Sequence, residues 1–151
     1  MNPLIINQSQ VRIPREFLNW WHESLVKELR QKKVNQSERL SGELVIVFMD
    51  DAEAKGVNHE FRGKDYATDV LSFESDDPES LGELIICPQV IKKQAKEHKL
   101  LFREELAYML THGVLHLLGY DHETSDQDAQ VMFELQDKTF EKLLSKYAKR
   151  V

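Results

Sequence analysis

Three of the six histidines in this 151-residue chain fall in one stretch, Thr111 to Thr124, read THGVLHLLGYDHET. His112, His116 and His122 are spaced by four and then six residues, with Gly119 three after the second. Imidazole nitrogens are common ligands of transition metals, and this spacing has a geometric reason. On a helix, residues i and i+4 share a face with Cβ atoms about 5–6 Å apart, so His112 and His116 can converge on one ion. A third ligand further along a straight helix would point away. Glycine takes left-handed backbone angles without steric cost, so Gly119 can end the helix and let His122 return. An all-nitrogen set suits zinc best, with nickel and copper as rivals. Three protein ligands leave a position for water, the pattern of a catalytic site, and bound zinc lowers the pKa of that water to about 7. The bland alternative is a set of core or capping histidines. A helix otherwise filled with Leu and Met would bury those rings at a cost unless something satisfied them.

The spacing also fits the metzincin protease template H-E-x-x-H-x-x-G-x-x-H at all positions but one. Gly113 stands where a protease carries its glutamate general base. That loss removes the proton shuttle and leaves the zinc-activated nucleophile. Asp121, beside the third histidine, reads equally as a substitute base, a partner of the metal ligands or a turn residue.

The elements that must hold these side chains are legible at low resolution. Length predicts one domain, with enough chain to bury a core. A hydrophobic content of 41% and a charged content of 30% place it among globular proteins. One cysteine, Cys87, excludes an internal disulfide and fits a reducing cytoplasm; in the run LGELIICP it reads as a buried strand thiol. The start of the chain lacks the basic-then-apolar pattern of a signal peptide, and no apolar run of about 18 residues is present. LIINQ predicts a first strand, and Pro14 sits well in the first turn of a helix carrying Phe17, Leu18, Trp21, Leu25, Val26 and Leu29. ELVIVFMD predicts a buried strand. DDAEAKGVN predicts a short helix stopped by Gly56, and HEFRGKDYATD a loop. VLSFES and LGELIICP flank the turn-forming DDPES and predict paired strands. Pro88 opens a helix, LFREELAYMLTHGVLHLL a second that ends at Gly119, and a last one starts near Ser125, with Asp128 as a weak capping box. The expected fold class is α/β (α+β): a single domain with a small mixed sheet of about four strands, about five helices and the zinc site on a helix ending in a glycine turn.

HGVLHLLGYDH resembles the H-G-x-L-H-L-x-G-Y-D-H signature of the YbeY family, metal-dependent endoribonucleases of bacteria. FRGKDYATDVLSF resembles that family's other marked segment. LGELIIC is similar to its G-D-I-x-I strand, with Glu83 in place of the commoner aspartate. The resemblance covers nearly the whole chain. It implies a single endoribonuclease domain over residues 1–151, one zinc ion on His112, His116 and His122, and an important arginine at Arg62. It implies catalytic roles for Arg62, His112 and His116. It further implies single-stranded RNA as substrate, maturation of small-subunit (16S) ribosomal RNA, ribosome quality control on the small ribosomal subunit, and a cytoplasmic location without membrane or DNA partners. Read without the resemblance, Arg62 is a loop arginine or the ion-pair partner of Asp65 or Asp69. Thr68, Asp69 and Ser72 read as site-facing or strand-end residues.

The net charge of −6 argues against bulk attraction to nucleic acid. It is unevenly spread, at +3 over residues 1–40, −9 over 41–87, +2 over 88–119 and −2 over 120–151. Lys92, Lys96, Lys99 and Arg103 would form one substrate-binding stripe along a phosphate backbone if their helix continues, or otherwise a solvated face. Arg12, Arg15, Arg30, Lys32 and Lys33 offer a second patch. Phe61, Tyr66 and Tyr120 are candidates for base stacking or for packing. Two rival functions stand beside the nuclease: a zinc metallopeptidase-like hydrolase, for which Gly113 is the difficulty, and a non-catalytic ribosome-associated protein with structural zinc.

Overall fold

The computed structural model describes residues 1–64 and 68–150. The strands β1 (Leu4–Asn7), β2 (Glu43–Phe48), β3 (Val70–Phe73) and β4 (Ser80–Ile86) form one sheet in the order β1-β2-β4-β3. β1, β2 and β4 run parallel, and β3 closes the edge antiparallel to β4. The helices are α1 (Arg15–Gln31), α2 (Asp51–Arg62), α3 (Pro88–His98), α4 (Phe102–Leu117) and α5 (Asp126–Ala148), and a short 3-10 turn spans Ser37–Ser41. The mixed four-stranded sheet and five helices agree with the expected fold class. Among the described residues no helix is long and apolar enough to cross a membrane.

Strand alternation explains the layering, because successive side chains leave opposite faces of a sheet. Leu44, Ile46 and Phe48 of β2 join Leu84 and Ile86 of β4 in the main core, against Trp21 and Leu25 of α1 and Leu106, Leu110 and Val114 of α4. Val47, Ile85 and Leu71 face the other way, into a smaller cluster with Val57 of α2. α4 is the central helix, packed by α1, α3, α5 and the sheet. That explains why it is apolar nearly all round. Buried Trp21 donates from Nε1 to Thr111 Oγ1 at 3.0 Å, and Thr111 donates to the Ala107 carbonyl at 2.9 Å. This pins α1 to α4 one residue before His112.

Two expectations are corrected. Gly56 does not stop α2, which runs on to Arg62 and ends at Gly63 with φ +69. A glycine inside a helix costs about 1 kcal/mol relative to alanine but breaks nothing, and packing of Val57 against the sheet carries the helix past it. The predicted loop therefore begins four residues late, and Arg62 sits on the last helical turn. Second, the basic stripe has no continuous helix beneath it. Lys99 adopts φ +57 as the cap of α3, and α4 starts afresh at Phe102.

Candidate metal centre

The histidine segment is built as a helix, a stop and a return. α4 ends in a Schellman turn: Gly119, at φ +93, donates its N–H to the His116 carbonyl (2.9 Å), and Tyr120 donates to the Leu115 carbonyl (3.1 Å). The last two helical carbonyls are taken by side chains from the distant 3-10 region. Arg39 donates to the Leu117 and Leu81 carbonyls, and Gln36 to the Leu118 carbonyl at 3.0 Å. Beyond the turn, Asp121 Oδ1 accepts from the Glu123 N–H at 2.8 Å, and Ser125 caps α5 by accepting from the Asp128 N–H. His122 is thus held from both sides.

The three imidazoles meet as the spacing predicts. One ring nitrogen of each lies within 4.8 Å of those of the other two. The Nε2 atoms of His112 and His116 are 3.1 Å apart, close to the separation of about 3.3 Å that two ligands at Zn–N distances of 2.0–2.1 Å subtend in a tetrahedral site. His112 Nδ1 donates to Gln136 Oε1 at 2.8 Å, which leaves its Nε2 as a bare lone pair aimed at the other rings. Burial, and then the neighbouring rings, pushes His116 down to about 4. His112 is lowered chiefly by burial, against the opposing hydrogen bond to Gln136. Both rings are therefore neutral near pH 7, the form that binds a metal. His122 Nδ1 is buried with no hydrogen-bond partner. A cation would satisfy the converging ring nitrogens, one from each histidine, at once, so the donor set fits zinc.

The trio lies in a cleft of about 840 Å³, within the size range of ligand sites. Arg62 and Phe61 come from the end of α2, Asp69 and Ser72 from β3 and the residues before it, Asp121 from the turn, and Gln136 and Phe133 from α5. Arg62 and the histidines thus share one cavity. Asp69 is not committed to Arg62. Its Oδ1 accepts from the Val70 N–H and the Thr68 hydroxyl, and its Oδ2 from Gln94. Asp65 and Tyr66 lie outside the described residues. Tyr108, on the α5 side, donates to Asp137 at 2.8 Å, and burial together with that carboxylate raises its phenol to about 12.

The lysine stripe is elsewhere. Lys92 lies over the Phe102 ring at 5.6 Å, and Arg103 packs over Phe17 and Tyr147; neither they nor Lys96 and Lys99 line the cleft. In the second basic patch, Arg15 donates to the Ile5 carbonyl, Arg30 to Ser41, and Lys32 to Thr139. Tyr120 takes a packing position, its hydroxyl accepting from the Asn35 N–H.

Gly113 has a steric explanation. A Cβ built there would lie 2.7 and 2.8 Å from the two methyl carbons of Leu84, which is itself fully buried. The position faces the sheet, so a protease glutamate has no room in this fold. We expect Gly113→Glu to lose at least about 3 kcal/mol, since overpacking costs about 1–3 kcal/mol and a buried carboxylate adds to it. That corresponds to a fall of roughly 6 °C or more in Tm. A stable Gly113→Glu protein that hydrolyses peptides would contradict this packing.

Two residues escaped the sequence reading. Gln136 is fully buried and orients His112. Its only signal is a polar residue on the stripe between Met132 and Phe140. Arg39 left no local signal.

Comparison with known proteins adds the family. A sequence model of the family described as Endoribonuclease YbeY matches residues 4–144. Among curated relatives, proteins named Endoribonuclease YbeY from Bdellovibrio bacteriovorus and Persephonella marina are 56% and 40% identical to this chain. The first match covers 97% of each chain; the second covers 99% of this chain and 97% of the relative. A solution structure of a Thermotoga maritima protein superposes with a TM-score of 0.66 at 30% identity, over 96% of this chain and 92% of the other.

Proposed function

This chain belongs to the YbeY endoribonuclease family, and from that premise we propose that it cuts single-stranded RNA internally at a zinc ion held by His112, His116 and His122. The observation that carries the reading is the convergence of three imidazole nitrogens within 4.8 Å in a cleft that also holds Arg62. Bound there, zinc supplies Lewis acidity toward a phosphate oxygen and a lowered pKa for water.

The chain's own residues do the rest. Phosphodiester cleavage builds negative charge on the non-bridging oxygens, and the Arg62 guanidinium can grip two of them in a fork. The end of α2 and the Gly63 turn present Arg62 from the wall of the cleft. Asp121 lines the cleft in the turn beside His122, with one oxygen held by the Glu123 N–H, which supports it as a candidate to take a proton. Gln136 fixes the His112 tautomer by accepting its Nδ1–H. The peptidase alternative loses its base to the packing at Gly113. A purely structural zinc is disfavoured because the trio lies open to the cleft.

The family resemblance supports small-subunit ribosomal RNA as the substrate, a role in ribosome quality control, and a cytoplasmic setting. The test is cleavage of end-labelled RNA by zinc-loaded and chelated protein. Internal cuts in a single strand are expected, with the matching duplex spared and an unstructured protein substrate untouched. Equal activity after chelation would overturn the metal assignment, and peptide cleavage without RNA cleavage would restore the peptidase. A 2′,3′-cyclic phosphate product would mean attack by the RNA 2′-hydroxyl rather than directly by water.

A further inference from the structure

The charge of the cleft raises a difficulty for RNA binding. Among the described residues that line it, Arg62 is the only Lys or Arg, against the carboxylates of Asp69, Glu74, Asp121 and Glu123. The chain carries −6 overall, and the lysine stripe lies outside the cavity. Coulombic attraction to phosphates, which normally supplies most non-specific affinity for nucleic acid, is therefore weak here. Beyond Arg62 and the charge of a bound zinc ion, further binding strength would come from contacts with something other than phosphate.

The same cleft offers them. Of the Phe, Tyr and Trp rings among the described residues two are exposed, Phe61 at 62% and Phe133 at 38%, and both line it. Phe61 ends α2 and rests on Phe73 of β3, with ring centroids 5.3 Å apart in a T-shaped contact. Phe133 stands on α5, 5.5 Å from the His122 ring and 6.4 Å from His112. Each is buttressed by a neighbouring ring while part of its surface meets solvent. Exposed phenylalanine gains nothing in stability from facing water, whereas a nucleobase stacks on any aromatic face regardless of sequence.

We propose that Phe61 and Phe133 are stacking platforms for two unpaired bases that flank the phosphate held at the histidines and Arg62. This rests on the RNA reading above and deepens it. Bases already stacked in a duplex are not free to occupy the platforms, so the pair selects for single strands. Phe133 places one base beside the metal centre, and Phe61 places another beside Arg62.

The experiment uses chelated, metal-free protein and a single-stranded oligoribonucleotide carrying 2-aminopurine, whose emission is quenched by stacking. Wild type is expected to quench it. Phe61→Leu and Phe133→Leu should each weaken binding by about five- to 150-fold, the range for one lost base stack, and Phe→Trp should restore it. An abasic site at the matching position should weaken wild type by the same factor and leave the corresponding leucine variant unaffected. With zinc restored and measured in each variant, Phe61→Leu should raise KM more than it lowers kcat. The slope of log K against log salt should be shallow, near −0.7 for one phosphate contact to a single strand. If wild type cuts RNA but the leucine variants bind and quench like it, or the slope approaches −3, stacking is wrong and the nuclease reading stands. If wild type neither binds nor cuts RNA, both fail.

Discussion

His116→Ala should leave a folded protein that no longer holds zinc and cuts RNA at least about 10³-fold more slowly. The factor follows from losing metal stabilisation worth several kcal/mol in the transition state, at 1.36 kcal/mol per tenfold. Folding should survive because the ring is only half-buried and faces the cleft, while Val114, Leu115 and Leu117 on the same helix keep their places in the core. Thermal melting separates the two effects. A ligand that binds only the native state stabilises it by about 4 kcal/mol at a thousand times its Kd. Zinc should therefore raise the Tm of wild type and leave that of His116→Ala unmoved, while the metal-free proteins melt close together. Traces of contaminating ribonuclease would mimic weak activity, so the variant and wild type must be purified identically. Cleavage that persists undiminished in a zinc-free variant would make the metal structural and end the catalytic account.

Arg62→Ala and Arg62→Glu should retain zinc and stability while losing activity by about 10² to 10³, the usual cost of removing one preorganised donor to transition-state charge. Arg62 is exposed on the last turn of α2, where surface substitutions fall within about 0.5 kcal/mol. A cation near a helix C-terminus adds about 0.3–1 kcal/mol, so the glutamate variant melts slightly lower and the alanine variant is the cleaner control. Arg62→Lys should recover only part of the rate, because an ammonium is a point charge and cannot form the guanidinium fork. Metal analysis, melting and single-turnover cleavage on one preparation check all three. Full activity in Arg62→Ala would remove arginine from the chemistry; a parallel collapse of stability and activity would make its role structural.

What is local could be read from the residues alone. The four-residue spacing of His112 and His116, the break at Gly119 and the return at His122 are contained within eleven residues, so helical geometry and one glycine suffice to predict their convergence. The β-branched runs and the Pro88 and Ser125 helix starts were legible for the same reason. What needed tertiary structure is what spans distance. Gln136 meets His112 across 24 residues, and Arg39 reaches the Leu117 carbonyl across 78. No local pattern announces either. The missing protease glutamate shows the contrast best. In the sequence, Gly113 is only a departure from a template; in the fold, the closeness of Leu84 on β4 makes glycine the residue that lets the histidine helix sit against the sheet. Likewise, the lysine stripe dissolved because Lys99 turns left-handed between two helices, and Arg62 joined the cleft because packing against the sheet carried α2 past Gly56. Periodicity reports how a segment folds on itself, whereas which of its faces meets a neighbour is set by contacts that the one-dimensional pattern does not contain.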